Sequence, residues 1–277
     1  MNYKNFGNTG RMVSEIGMGT FYDSGWIFFS MLGMKLGYKR KVAAVKAGLN
    51  EGINLIDTAE IYGSEQIVAE AIRGQDREDL FIASKVWPSH LKRNKLIKCA
   101  EASLKRLQTS YIDLYQIHFP NPRVDIKETM AAMEYLVDEG KIRYIGLSNF
   151  KFEQIEEAAA ALKKYKISAI QSQYNLHYRG IEPEVLDYCW ENHVALMAYY
   201  PLAHGDITRD QKVVELAQKI QKTPAQIALK WLSQREHIFP IPRASDPKHV
   251  VENAQAGDFN LTDQQIQEIE STVNVKW

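Results

Sequence analysis

The chain has 277 residues, 45% hydrophobic and 25% charged, enough for a sizeable core in one large α/β domain or two smaller ones. Lysine plus arginine and aspartate plus glutamate both number 34, so the formal net charge is zero and nothing asks for nucleic acid or an anionic membrane. Two cysteines, Cys99 and Cys189, stand far apart with no CxxC or metal-ligand spacing, which suits packing roles in a reduced compartment.

The first residues, MNYKNFGNTGRMVSE, are polar and hold no signal-peptide core. The most apolar run, WIFFSMLGM at 26–34, is too short to span a bilayer, so a soluble cytoplasmic protein is expected. Strand-like runs follow at 13–20 (VSEIGMGT), 53–59 (INLIDTA), 80–87 (LFIASKVW) and 112–119 (IDLYQIHF). Four more lie at 142–149 (IRYIGLSN), 168–174 (SAIQSQY), 194–202 (VALMAYYPL) and 238–244 (IFPIPRA).

Helical periods separate them. In KVAAVKAGLNEG, Val42, Val45 and Leu49 share a face. FEQIEEAAAALKKY places acids first and lysines last, as a helix dipole prefers. Thr223-Pro224-Ala225-Gln226 is a capping box with proline at the first helical position, and Thr262 to Gln265 repeats the box before a last helix. The run LKRNKLIK at 91–98 reads as a solvated helix face. No linker divides the series, so residues 1–277 are expected to form a single domain.

Eight βα units in this length predict an α/β fold of the (β/α)8 TIM-barrel type. A doubly wound sheet would carry G-x-G-x-x-G after its first strand, and Gly17-Met18-Gly19-Thr20-Phe21-Tyr22 fails that pattern. In a barrel, the strands' C-terminal ends build the active site. Those ends supply Asp57 then Tyr62, Lys85 then Trp87, His118 then Phe119, Ser148-Asn149, Gln171 and Tyr199. Taken singly, Asp57 has a turn or cap reading, Lys85 a rim reading, His118 a core reading and Tyr62 a packing reading. The set is harder to explain that way than any one member.

Read together, Lys85 is the cation for Asp57. An ammonium beside Tyr62 is expected to lower a phenol pKa that is ordinarily about 10. Tyr62 then becomes a general acid and His118 a hydrogen-bond donor to the same oxygen, a set that protonates and orients a carbonyl. A metal-dependent hydrolase would want several histidine and carboxylate ligands at strand ends, and His118 is the only strand-end histidine, so no metal is expected.

Along the whole chain the sequence resembles the aldo-keto reductases. FGNTGRMVSEIGMGTF resembles the family's N-terminal β-hairpin and first strand, and INLIDTAEIYGSE its Asp-Thr-Ala-x-x-Tyr-Gly signature. ASKVW, IHF, IGLSNF, IQSQYNLHYR, AYYPL and IPRASDPKHVVENA follow in the family's order. The resemblance implies NAD(P)H-dependent reduction of aldehydes and ketones, with Asp57, Tyr62, Lys85 and His118 as a catalytic tetrad. It implies that Ser148, Asn149 and Gln171 hold the carboxamide, that Tyr199 stacks on the nicotinamide, and that Gly19, Thr20 and Phe21 line the reactive end. Backbone N–H groups of the loop with Pro201, Leu202, Ala203 and Gly205 would meet the pyrophosphate. The segment holding Arg243, Ala244, Ser245, His249, Glu252 and Asn253 would meet the adenosine phosphate.

The family often shows Lys-Ser and then Arg around that phosphate, where this chain has Arg243-Ala244 and His249 beside Lys248. NADP is therefore expected, with NAD as the alternative. Trp87 and Phe119 should wall the substrate pocket, and WIFFSMLGM should form either a rim plug or an apolar lid bringing Trp26, and Phe28 or Phe29, to substrate. The sequence ends at Trp277, and relatives with tight selection carry a longer C-terminal loop, so an open site with broad carbonyl acceptance is expected. A monomer is the family expectation. The competing reading is a cofactor-binding, redox-sensing or regulatory subunit on the same fold.

Overall fold

Side chains along the barrel strands alternate between two cores, and this alternation positions the site. The computed structural model describes residues 1–273 and 275, so Trp277 lies outside the described residues. An antiparallel hairpin comes first, β1 (Tyr3–Asn5) and β2 (Met12–Ser14). Eight parallel strands follow, paired in sequence order: β3 (Met18–Gly19), β4 (Leu55–Asp57), β5 (Phe81–Val86), β6 (Ile112–Ile117), β7 (Ile142–Ser148), β8 (Ile167–Gln173), β9 (Ala195–Tyr199) and β10 (Ile238–Pro240). The sheet curls until its edges meet: Gly17 N–H donates to Pro240 O at 2.9 Å and Gly19 N–H to Pro242 O at 3.0 Å. The expected barrel with its hairpin is the fold.

Leu55, Phe81, Ala83, Leu114, Ala169, Met197 and Phe239 fill the barrel interior, while their neighbours Ile56, Ile82, Tyr115, Ile170 and Leu196 meet the surrounding helices. Phe6 plugs the interior where β5 begins, its ring 4.4 Å from Phe81 and 4.8 Å from Phe239. The next residue must come so close to the sheet that a Cβ on Gly7, at φ 54°, would meet Ala195 N at 2.6 Å.

The run at 13–20 is not one strand. Its first part belongs to the hairpin and Met18–Gly19 to the barrel, because Glu15 turns inward to a buried ion pair with Lys230 at 2.6 Å. A second correction concerns Phe152–Ala161, which ends before its lysines. Glu134 Oε1 accepts the backbone N–H groups of Lys163 at 2.8 Å and Lys164 at 2.6 Å, holding that segment out of the helix.

Both capping boxes form, opening the helices Pro224–Ser233 and Asp263–Thr272. Helix Tyr38–Asn50 buries Val42 and Val45, with Leu49 partly buried against the core. Lys92, Arg93, Lys95 and Lys98 are exposed, as a solvated face requires. No described helix is long and apolar enough to cross a membrane.

Candidate active site

The inward phase of the strands carries Asp57, Lys85, Gln171 and Tyr199 to their C-terminal ends, one pleat above the apolar filling. Lys85 is fully buried and Asp57 nearly so, at 0% and 3% exposure. Lys85 Nζ donates to Asp57 Oδ2 at 2.6 Å and Thr58 O at 2.9 Å, and reaches Tyr62 Oη at 3.4 Å. The other carboxylate oxygen accepts from Gln171 Nε2 at 2.8 Å. Desolvating such a pair is costly, and the cost is offset here by saturating hydrogen bonds.

Tyr62 Oη is also 3.2 Å from His118 Nε2. The sequence expected Lys85 to lower the Tyr62 pKa; the structure reverses that sign. Burial and then the Asp57 carboxylate push the phenol well above its ordinary range, with Tyr200 and Tyr199 adding to the shift. Burial also draws the Lys85 pKa down against the pull of Asp57. His118 is held neutral, its pKa lowered to about 2 by burial and then by Lys85. Its Nδ1 and both amide atoms of Gln116, two residues earlier on β6, are buried without a protein partner among the described residues.

Asp57, Tyr62 and His118 open into a cavity of ≈ 530 Å³, while Lys85 is buried beside them and does not line it. Of the expected residues, Asp57, Tyr62, His118, Gly19, Phe21, Trp87, Phe119, Ser148, Asn149, Gln171, Tyr199, Pro201, Leu202, Gly205 and Arg243 line it. Asn149, at φ 62°, is fixed from several sides: its Nδ2 donates to His118 O and Ser148 Oγ, both at 3.0 Å, and Tyr199 Oη donates to its Oδ1 at 2.7 Å.

Other expected residues stand elsewhere. Thr20 is buried beneath the cavity, its hydroxyl donating to Asp57 O at 2.9 Å. With Ala244 and Asn253 it borders a separate void of only ≈ 10 Å³. Ala203, Ser245, His249 and Glu252 do not line the cavity, and His249 is exposed with Glu252 3.5 Å away. The N–H groups of Ala203 and Gly205, expected as pyrophosphate donors, are spent within the loop on Tyr200 O at 2.9 Å and Leu202 O at 2.8 Å.

The apolar run after β3 forms the helix Ser24–Met31, capped by Asp23, whose carboxylate accepts Trp26 N–H at 2.6 Å. Trp26 does not line the cavity. Its indole N–H donates to Tyr62 O at 3.0 Å, so it braces the general-acid candidate from behind, while Ile27 lines the cavity. Phe28 and Phe29 are exposed. Ile27, Ile61, Tyr200, His204, Ile241 and Pro242 are lining residues that sequence reading missed. Ile61 and Tyr200 directly precede or follow residues that were chosen, so only side-chain direction separated them. Arg40 was missed too: it pairs with Asp246, the cap of helix Pro247–Ala254, at 2.6 Å. Arg40 and Arg243 both bear on the Lys41 ammonium, whose pKa is lowered first by burial, so three cations border one region.

Comparison with known proteins bears on the same residues. The family model described as "Aldo/keto reductase family" matches residues 15–274. The chain is 37% identical to methylglyoxal reductase YeaE of Escherichia coli (strain K12) over 232 residues, 81% of each chain. It is 36% identical to glyoxal reductase of Bacillus subtilis (strain 168) over 230 residues, 82% of each. A solved aldo-keto reductase from Klebsiella pneumoniae in complex with NADPH superposes with a TM-score of 0.90 at 33% identity, covering 99% of this chain and 96% of that one. The barrel, its strand-end quartet and a family match across nearly the full length agree: this chain belongs to the aldo/keto reductase family.

Proposed function

We propose that the protein reduces aldehydes and ketones to alcohols with NADPH. The observation that carries this reading is the convergence of Asp57, Tyr62 and His118 on one cavity with Lys85 buried beside them, Tyr62 Oη standing 3.4 Å from the ammonium and 3.2 Å from the imidazole. The raised pKa keeps Tyr62 protonated at neutral pH, as a general acid must be. When its proton passes to the carbonyl oxygen, the phenolate left behind is stabilised by Lys85, which Asp57 keeps charged. Neutral His118 donates Nε2–H to the same oxygen, a tautomer that leaves only a lone pair on the partnerless Nδ1.

A bound nicotinamide cofactor supplies the hydride. The polar wall suits a carboxamide: Ser148, Asn149 and Gln171 line it, and because the Gln171 amide nitrogen donates to Asp57, its oxygen is left as an acceptor for an NH2 group, whereas the Asn149 oxygen already accepts from Tyr199. Arg243, Arg40 and Lys41 supply positive charge for a phosphate, which favours NADPH over NADH despite the missing Lys-Ser pair. Trp87, Phe119, Ile27 and Tyr200 give the cavity apolar walls, suited to small aldehydes and ketones of varied shape, including dicarbonyls of the kind two relatives are named for. The chain is proposed to act as a cytoplasmic monomer and a single domain over 1–277.

The test is loss of reduced-cofactor absorbance with an aldehyde and ketone panel, NADPH and NADH in parallel. Tyr62→Phe should lower turnover roughly 10²–10⁴-fold while cofactor affinity stays near wild type. Cofactor binding without carbonyl consumption by the wild type would favour the redox-sensing or regulatory-subunit reading instead.

A further inference from the structure

Beside the cavity, three side chains distant in sequence meet. Glu60 lies between Asp57 and Tyr62 in the loop after β4, His90 closes the turn Pro88–His90 after β5, and Cys99 sits in the helix Arg93–Leu107. His90 Nδ1 is 2.9 Å from Glu60 Oε1 and 3.4 Å from Cys99 Sγ. One oxygen, one nitrogen and one sulfur all lie within 4.8 Å of one another, the only such group of His, Cys, Asp or Glu among the described residues.

Tetrahedral ligands at about 2.0–2.3 Å from a metal stand roughly 3.3–3.7 Å apart; the Cys99–His90 separation of 3.4 Å falls in that range, and the 2.9 Å between His90 and Glu60 would have to open slightly. The Tyr115 hydroxyl gives a second indication. It is fully buried, has no hydrogen-bond partner, and lies in the field of Glu60 and Cys99. All three ligands are only partly buried, so an ion has a route in, which buried Cys189 does not offer.

We propose that Glu60, His90 and Cys99 form a binding site for one divalent cation of the zinc type, with a fourth position open to water. Thiolate, imidazole and carboxylate select a borderline-soft ion over magnesium or calcium. Thiolate and carboxylate together neutralise its charge. Because only the thiolate ligates, capture of the ion must release the Cys99 proton, so binding should weaken as pH falls. The ion would tie the loops after β4 and β5, which carry Tyr62 and Trp87, to the helix behind them. The Trp87 N–H already donates to Glu60 Oε1, so the link to the cavity wall is direct. This site is independent of the proposed reduction.

The experiment is a titration of the metal-free, full-length protein with Co2+ followed by absorbance. A near-ultraviolet thiolate-to-cobalt band should saturate at one equivalent, disappear on adding Zn2+, survive in Cys189→Ala and be lost in Cys99→Ser. Zn2+ should also raise the unfolding temperature of the wild type and of Cys189→Ala, but not of Cys99→Ser. No charge-transfer band in the wild type, or its loss in Cys189→Ala, overturns the site. So does a band that persists in Cys99→Ser. Should Cys99→Ser fail to fold, the wild-type and Cys189→Ala spectra decide.

Discussion

His118 shows what burial does to a single side chain. Its ring is held neutral, with a pKa near 2 against an ordinary 6.5. In acid the unfolded ring binds a proton that the folded one refuses. Its contribution is therefore fully retained above pH 6.5, and stability falls by about 1.4 kcal/mol for each pH unit below that. His118→Asn should remove this slope, which urea unfolding at pH 7, 6 and 5 would measure; equal slopes in the two proteins would contradict it. Asp57 and Lys85 were legible because charges ending apolar strands need partners. The sign of the Tyr62 shift was not legible, since desolvation is a property of everything packed around the ring.

Elements were legible wherever an apolar period ran uninterrupted. The eight barrel strands fall within or one residue from the predicted runs, and both capping boxes form because each needs only four consecutive residues. Misreadings occurred where a distant residue intervened. Lys230 draws Glu15 inward and divides the run at 13–20, and Glu134 captures the N–H groups after Ala161. The hairpin contributes Phe6, packed against Phe81 and Phe239, together with Val13 to the barrel interior. Phe6→Ala should cost about 3–5 kcal/mol in chemical denaturation while leaving kcat/KM for carbonyl reduction near wild type, because the plug is remote from the strand-end groups.

At the scale of the molecule, the barrel depends on a narrow seam. A Cβ on Gly19 would stand 2.9 Å from Ile241 O, so this strand can approach the last only as glycine. Gly19→Ala should lower stability by roughly 1–3 kcal/mol in thermal unfolding and weaken cofactor binding, since Gly19 also lines the cavity. An unchanged melting temperature would show that the seam yields. Sequence reading placed Gly19 at the site as a lining residue, and its part in closing the ring appears only when β3 meets β10.

By itself the sequence determined what depends on local order: eight βα repeats, the phase of each strand, and hence which side chains end at the barrel mouth. Tertiary structure decided what depends on distance through space. It moved Trp26 from substrate contact to a brace on Tyr62, spent two expected phosphate donors inside their own loop, and brought Glu60, His90 and Cys99 together from three elements. Periodicity is a short-range property of the chain, whereas desolvation, hydrogen-bond competition and ligand geometry arise only once remote segments pack.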